Sequence, residues 1–317
     1  MARSGTATPS SEPSKLTARS GSNLEAGSIL TKSSKVFVLV AIAAIIGGVL
    51  GFLLRRHAVV RPRPLVTIQF PNLADGDCAI VRTPDHKIIV VDAGGPSSGE
   101  RIGQFVRKMG GDQIDLLILA SNQDSGIGGA YALLNSGLPV RSIWNSDTTP
   151  DDPTVKRLLD RIAARHIPYR IVHAGERAVI GHSDMRLSVL WPPDQSSRAA
   201  LDGLAIRVEY GDNAVMLLGP ISASSEPYAV AGAGKNLSCD VLQVSDHGAD
   251  GGTSLEMLRR AAPEFALISC SAELPPSPGV LHRLQAAGAG IWRTDMQGSI
   301  SLTMDGKTHP MLSAAEQ

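Results

Sequence analysis

The chain has 317 residues, 43% of them apolar, and balances 30 lysines and arginines against 30 aspartates and glutamates. That length allows one large domain or two small ones, with apolar material for a substantial core. Zero formal net charge removes the electrostatic case for nucleic acid as a partner, and 4% aromatics leave no base-stacking platform.

Residues 1–35 are rich in Ser, Thr, Gly, Ala and Pro without an apolar period, and read as a disordered tail. Residues 36–54, VFVLVAIAAIIGGVLGFLL, hold no charge over 19 positions. At about 1.5 Å per residue a helix there reaches close to 30 Å, the hydrocarbon thickness of a bilayer. A secretory signal would start earlier, be shorter and end at a small-residue cleavage site. This segment ends in Leu53-Leu54-Arg55-Arg56 and reads as a retained, single transmembrane helix. Arg19, Lys32 and Lys35 on its amino side balance Arg55, Arg56, Arg61 and Arg63 on the other. The positive-inside comparison therefore leaves the side of the soluble domain open. Residues 55–65 form a stiff Pro/Arg linker, 66–304 the folded domain, and 305–317 a tail.

Within the domain, β-rich runs predict strands at 66–70, 78–82, 87–91, 116–119, 141–144, 170–172, 186–190, 205–210, 214–218, 240–244, 265–269 and 299–303. Helices fall between some of them. The run 99–109 sets Ile102, Phe105, Val106 and Met109 on one face. The run 153–165 opens with Pro153 after Asp152 as N-cap. The run 253–261 opens with Thr253 and carries Glu256 three residues on, the pattern of a capping box. The run 279–287 stops at Gly288. This order suits two β-sheets with helices outside, an α/β sandwich of αββα layers. A doubly wound dinucleotide fold is disfavoured because no GxGxxG follows the first strand. Cys78, Cys239 and Cys270 have no ligand spacing and are odd in number, so they read as buried structural thiols.

Four stretches carry a resemblance. They are DGDCAIVRTPDHKIIVVDAGG (75–95), IDLLILASNQDSGIGG (114–129), DVLQVSDHGADGGTSLEML (240–258) and IWRTDMQGSI (291–300). In order and spacing they resemble the metallo-β-lactamase superfamily. They look most like the soluble metallo-β-lactamase-like domain of the ComEC DNA-uptake family, over about 66–303. The resemblance implies a four-layer sandwich and a metal-dependent hydrolase site. In that family the loop before Ile-Gly-Gly reads His-x-Asp-x-Asp-His and supplies metal ligands. Anchored on Ile127-Gly128-Gly129, those positions here are Ser121, Gln123, Ser125 and Gly126. The family's bridging carboxylate falls on Pro220, its His-His-Gly on Asp246-His247-Gly248, and its late His-Pro-His-Pro on Pro275-Pro276-Ser277-Pro278.

Zinc in a catalytic site takes about three imidazole, thiolate or carboxylate ligands and keeps an open position for water. Serine and glutamine are poor ligands; glycine and proline offer no side-chain donor. Asp124, Asp246 and His247 remain as weak catalytic candidates, with Asp124 one residue out of register. Asp92 reads as support for the loop, and Asp77 as a cap on its own turn amides. Ser121, Ser125 and Ser245 could act as nucleophiles only with a histidine in reach, and no GxSxG is present. The expectation is a membrane-anchored pseudoenzyme with no cofactor, presenting its former cleft to a protein or small molecule. The alternatives are a hydrolase of phosphodiesters or other esters with an atypical zinc site, and a role in DNA uptake.

Overall fold

The computed structural model describes residues 32–56, 64–73, 75–121, 123–146, 153–193, 203–221 and 223–315. Positions 1–31 of the expected tail, 57–63 of the linker and the N-cap candidate Asp152 lie outside them. The chain divides into two compact units, 1–62 and 63–317.

The first unit contains helix α1 (Lys32–Arg56), which extends beyond the uncharged run at both ends. Val36, Phe37, Leu39, Val40, Ile45 and Ile46 on it are 60–75% exposed. Side chains of this helix are described continuously over 36–50. Counted over the described residues alone, no helix is long and apolar enough to cross a membrane.

The second unit holds fifteen described strands: β1 (Val66–Phe70), β2 (Ala79–Arg82), β3 (Ile88–Val91), β4 (Leu116–Leu119), β5 (Ile143–Asn145), β6 (Tyr169–Ile171), β7 (Arg177–Ala178), β8 (Arg186–Trp191), β9 (Ala205–Tyr210), β10 (Asn213–Leu218), β11 (Val241–Gln243), β12 (Phe265–Ile268), β13 (Gly290–Arg293), β14 (Ile300–Met304) and β15 (Met311–Ala314). Its α-helices are α2 (Gly99–Lys108), α3 (Asp124–Ile127), α4 (Ala130–Asn135), α5 (Pro153–Ala164), α6 (Glu226–Ala233), α7 (Leu255–Ala261), α8 (Pro278–Ala286) and α9 (Thr294–Gln297). One sheet runs β15-β14-β1-β2-β3-β4-β5-β6, the other β13-β12-β11-β10-β9-β8-β7.

Three apolar clusters explain the layers. Leu116 and Ile118 of β4 point into a core shared with Val215 and Leu217 of β10 and Val241 of β11, so the two sheets face each other. Leu117 and Leu119, one residue out of phase, meet Ile102, Val106, Leu133, Leu158 and Ile162 from α2, α4 and α5. On the other sheet Met216, Leu242 and Ala266 meet Val230, Met257, Leu258 and Leu284 from α6, α7 and α8. A strand covered on both faces is apolar at every position, which is why LLIL is a continuous run and not an alternating one. At about 25 cal/mol per Å² of buried apolar area, such double-sided burial is the main stabilising term of the domain.

The structure departs from the sequence reading in three places. The supposed tail is part of the first sheet: β15 pairs antiparallel with β14, Ile300 opposite Ala314. The connecting turn is organised by Asp305, whose Oδ1 accepts the amides of Lys307 and Thr308 at 2.8 Å each. The cap of α7 is Ser254, whose hydroxyl accepts the Met257 amide at 3.1 Å. Thr253 is buried, left-handed at φ 54°, and its hydroxyl instead accepts the Ser245 amide at 3.3 Å. The elements β7, β13 and α6 had no counterpart in the reading.

Candidate functional site

In both sheets the parallel strands end at one edge. Asp92 follows β3, Ser121 follows β4 by two residues, Gly219 follows β10, Ser245 follows β11 by two, and Ser269 follows β12. The carboxyl ends of parallel strands are where α/β folds place ligands. The two edges touch: the Leu204 amide, just before β9, donates to the Ala120 carbonyl just after β4 at 2.6 Å.

Asp92 organises the first edge. It is 4% exposed and left-handed at φ 60°. Its Oδ1 accepts the amides of Ala120 at 2.7 Å and Ser121 at 3.0 Å, which ties the start of the loop to β3. Burial pushes this carboxyl up to about 7; the Asp77 charge adds to the rise and the two amides oppose it.

The loop itself is closely fitted. The buried Ser121 hydroxyl accepts the Gln123 amide at 3.0 Å. A Cβ on Gly126 would lie 2.3 Å from the Ser121 Cβ and 3.2 Å from Asp92 Oδ1. The Ser125 carbonyl accepts the Asp77 amide at 3.0 Å. Gly76, at φ 90°, lets that carbonyl approach to 2.0 Å of where its own Cβ would be. Gln123 and Asp124 face solvent, and the Asp124 side chain has no hydrogen-bond partner among the described residues.

On the second edge, Ser245 closes the turn at Pro220. Its hydroxyl donates to the Gly219 carbonyl at 2.8 Å and accepts the Ile221 amide at 3.0 Å. It is therefore not paired with His247. Ser277 caps α8 by accepting the Val280 amide at 3.1 Å, donates to Asp250 at 3.1 Å, and its amide donates to the Gly248 carbonyl.

His247 meets Asp77 across the gap. Its Nδ1 lies 3.3 Å from Asp77 Oδ2 and 3.0 Å from the Ser269 carbonyl. Gln243 donates to Asp77 Oδ1 at 3.4 Å and lies 3.5 Å from the Ser269 hydroxyl. Asp77 thus does not cap its own turn; its carboxylate faces the other sheet. Burial pushes the Asp77 carboxyl above its ordinary value, and His247 pulls it back in part. Burial works against a charge on His247, but Asp77, the Ser269 carbonyl, Asp246 and Asp75 together hold its pKa above the ordinary value. The half-buried Asp246 contributes only through this field.

The structure therefore brings Asp77, Asp92, Ser121, Ser125, Gly126 and His247 together, with Gly219 and Pro220 joined through Ala120 and Ser245. It leaves out Gln123 and Asp124. Gln243, Ser269 and Cys270 belong to the site and were missed by sequence reasoning. A glutamine inside the buried run DVLQV was the available signal, since a polar group there requires partners.

The cavity beside His247, lined by Leu73, Asp75, Gly76, Cys270, Ser271 and Leu274, measures about 10 Å³. That is room for about one water. A metal centre needs about three converging donors. Among the described residues no group of three or more His, Cys, Asp or Glu is arranged to hold an ion. Asp77 and His247 engage each other, and Asp92 engages two amides.

Two facing sheets, outer helices and a loop cluster at the strand ends are the layers expected of a metallo-β-lactamase-like domain. No family model matches the chain. It is 26% identical over 251 residues to ComE operon protein 3 of Bacillus subtilis (strain 168), covering 72% of this chain and 32% of that protein. It is 31% identical over 98 residues to competence protein ComA of Neisseria gonorrhoeae, covering 30% of this chain and 14% of that one. Within its class the domain is ComEC-like, and the chain spans a third or less of the length of these relatives. Among solved structures, the subclass B3 metallo-β-lactamase BJP-1 of Bradyrhizobium japonicum aligns at TM-score 0.40 and 14% identity, covering 69% of this chain and 87% of that one.

Proposed function

We propose that the chain is a membrane-anchored pseudoenzyme, a metallo-β-lactamase-like domain that binds no catalytic metal and serves as a binding or scaffold module. The observation that carries this reading is position 126. A histidine belongs there in the resemblance, yet the loop has closed so far that even a methyl group would collide with Ser121. Pro220, with no side-chain donor at the position of the bridging carboxylate in the resemblance, supports the same reading. The atypical-site hydrolase has no comparable support, since Asp124 faces solvent and His247 is engaged with Asp77.

The anchor rests on the uncharged run 36–54, long enough at about 1.5 Å per residue to span a bilayer core, and on the exposure of its apolar side chains. Full-length protein should stay with membranes after alkaline carbonate extraction; release into the supernatant would remove this part of the reading.

The test of the site is metal content. Full-length protein purified in detergent, incubated with zinc or manganese and desalted, should retain far less than one ion per chain. It should leave a chromogenic phosphodiester intact. A stoichiometric ion held after desalting would overturn the proposal. Similarity to a protein named for competence favours a second reading, a role beside a DNA-uptake apparatus. Salt-sensitive retention of the chain on DNA would support it.

A further inference from the structure

We propose that Asp77, His247, Gln243 and Ser269 form an internal clamp that ties the site ends of the two sheets together without a metal. This rests on the metal-free reading above and names what takes the ion's structural place.

The clamp joins elements that nothing local would join. Asp77 precedes β2 of the first sheet, Gln243 ends β11, and Ser269 follows β12 of the second. Gln243 and Ser269 are almost fully buried. Gln243 reaches across to one Asp77 oxygen and the imidazole to the other. The imidazole N–H is shared between the Asp77 carboxylate and the Ser269 carbonyl. Each member thus has partners, which is the condition for a buried polar network to stabilise rather than cost.

The backbone shows that the ring is aimed. Asp246 and His247 are both left-handed, at φ 49° and 54°, and Gly248 follows at 81°. Two such non-glycine residues in a row are costly and persist only where surroundings hold them. The surroundings are present. The Gly248 carbonyl accepts the Ser277 amide at 2.9 Å. Arg283 donates to the carbonyls of Gly252 at 3.0 Å and Thr253 at 3.1 Å, bracing the loop from behind. The ring nitrogen thus faces two acceptors from different elements, the Asp77 carboxylate at 3.3 Å and the Ser269 carbonyl at 3.0 Å.

The experiment is a double-mutant cycle on the full-length chain in detergent, using Asp77→Asn, His247→Gln and both together, read by urea unfolding. The buried Trp144 and Trp191 report the transition. Each single variant should unfold at lower urea, and the double variant should be little worse than the worse single. The coupling should be roughly tenfold in the unfolding constant or more. Additive effects would overturn the clamp. A second readout stands even if a variant unfolds. The wild-type His247 Nδ1 proton should appear downfield and exchange slowly in a ¹⁵N-histidine spectrum, and its absence would also overturn the clamp. Zinc or manganese added to wild type should leave the midpoint unchanged. A metal-dependent rise lost in Asp77→Asn would overturn clamp and metal-free reading together, whereas additivity without a metal effect would overturn the clamp alone.

Discussion

Asp92 Oδ1 accepts the Ala120 amide at 2.7 Å, joining the end of β3 to the end of β4 through a carboxyl that burial raises to about 7. The folded state therefore keeps a proton that the unfolded chain releases near pH 4. Stability contributed by that proton is present below about pH 4 and lost as pH rises to about 7, at up to about 1.4 kcal/mol per pH unit. His247, also raised, adds a loss of the same sign above its ordinary value. Urea midpoints should be higher at pH 5 than at pH 8. Asp92→Asn keeps an acceptor oxygen for both amides and should flatten this dependence between pH 4 and 7. An equally steep profile in the variant would assign the slope to other groups.

Two glycines should respond oppositely to alanine. At Gly126 the added methyl meets Ser121 at 2.3 Å, so Gly126→Ala should cost about 1–3 kcal/mol through overpacking. At Gly232 in α6 the methyl meets nothing within 4 Å. Gly232→Ala should be neutral or stabilise by up to about 1 kcal/mol by helix propensity. Chemical denaturation of the two variants checks the pair. A harmless Gly126→Ala would mean that the loop can open to take a side chain.

Ser254→Ala should destabilise the domain by about 1 kcal/mol, because the hydroxyl holds an otherwise orphaned amide of α7. The effect should be local, visible as faster amide exchange at Met257 with little change at β11. Thr253 and Ser254 both precede Glu256 at plausible capping distance, and sequence alone favoured the wrong one. Only the left-handed backbone at Thr253 and the pull of the Ser245 amide decide it.

That case shows where sequence stops being legible. LLIL and DVLQV were legible as strands because short β-rich runs between turn signals favour that conformation, while their burial on both faces came only from the structure. Motif order made the sandwich readable, and the glycines kept the loop's backbone recognisable. Asp77 was misread as a turn cap because its partners, Gln243 and His247, sit more than 160 residues away and belong to the other sheet. The same distance hid Ser269 and Cys270. β15 was lost because a four-residue edge strand with exposed Met311 has no alternation strong enough to register.

The three thiols give the last test. Cys78, Cys239 and Cys270 are unbonded and buried. Burial pushes Cys239 up to about 12 and Cys270 to about 11, the latter also donating to Asp295 at 3.1 Å, and raises Cys78 as well. The thiolate is the reacting species, so near pH 8 each of these sulfurs holds little of it and is poorly accessible. Native protein should react slowly with a disulfide reagent at all three, and denatured protein should titrate all three promptly. Cys270 should react first under partial denaturation, because it lines the small cavity at the site mouth. Fast native labelling there, protected by no added metal, would show that the strand ends open readily and that the packed site is only one of its states.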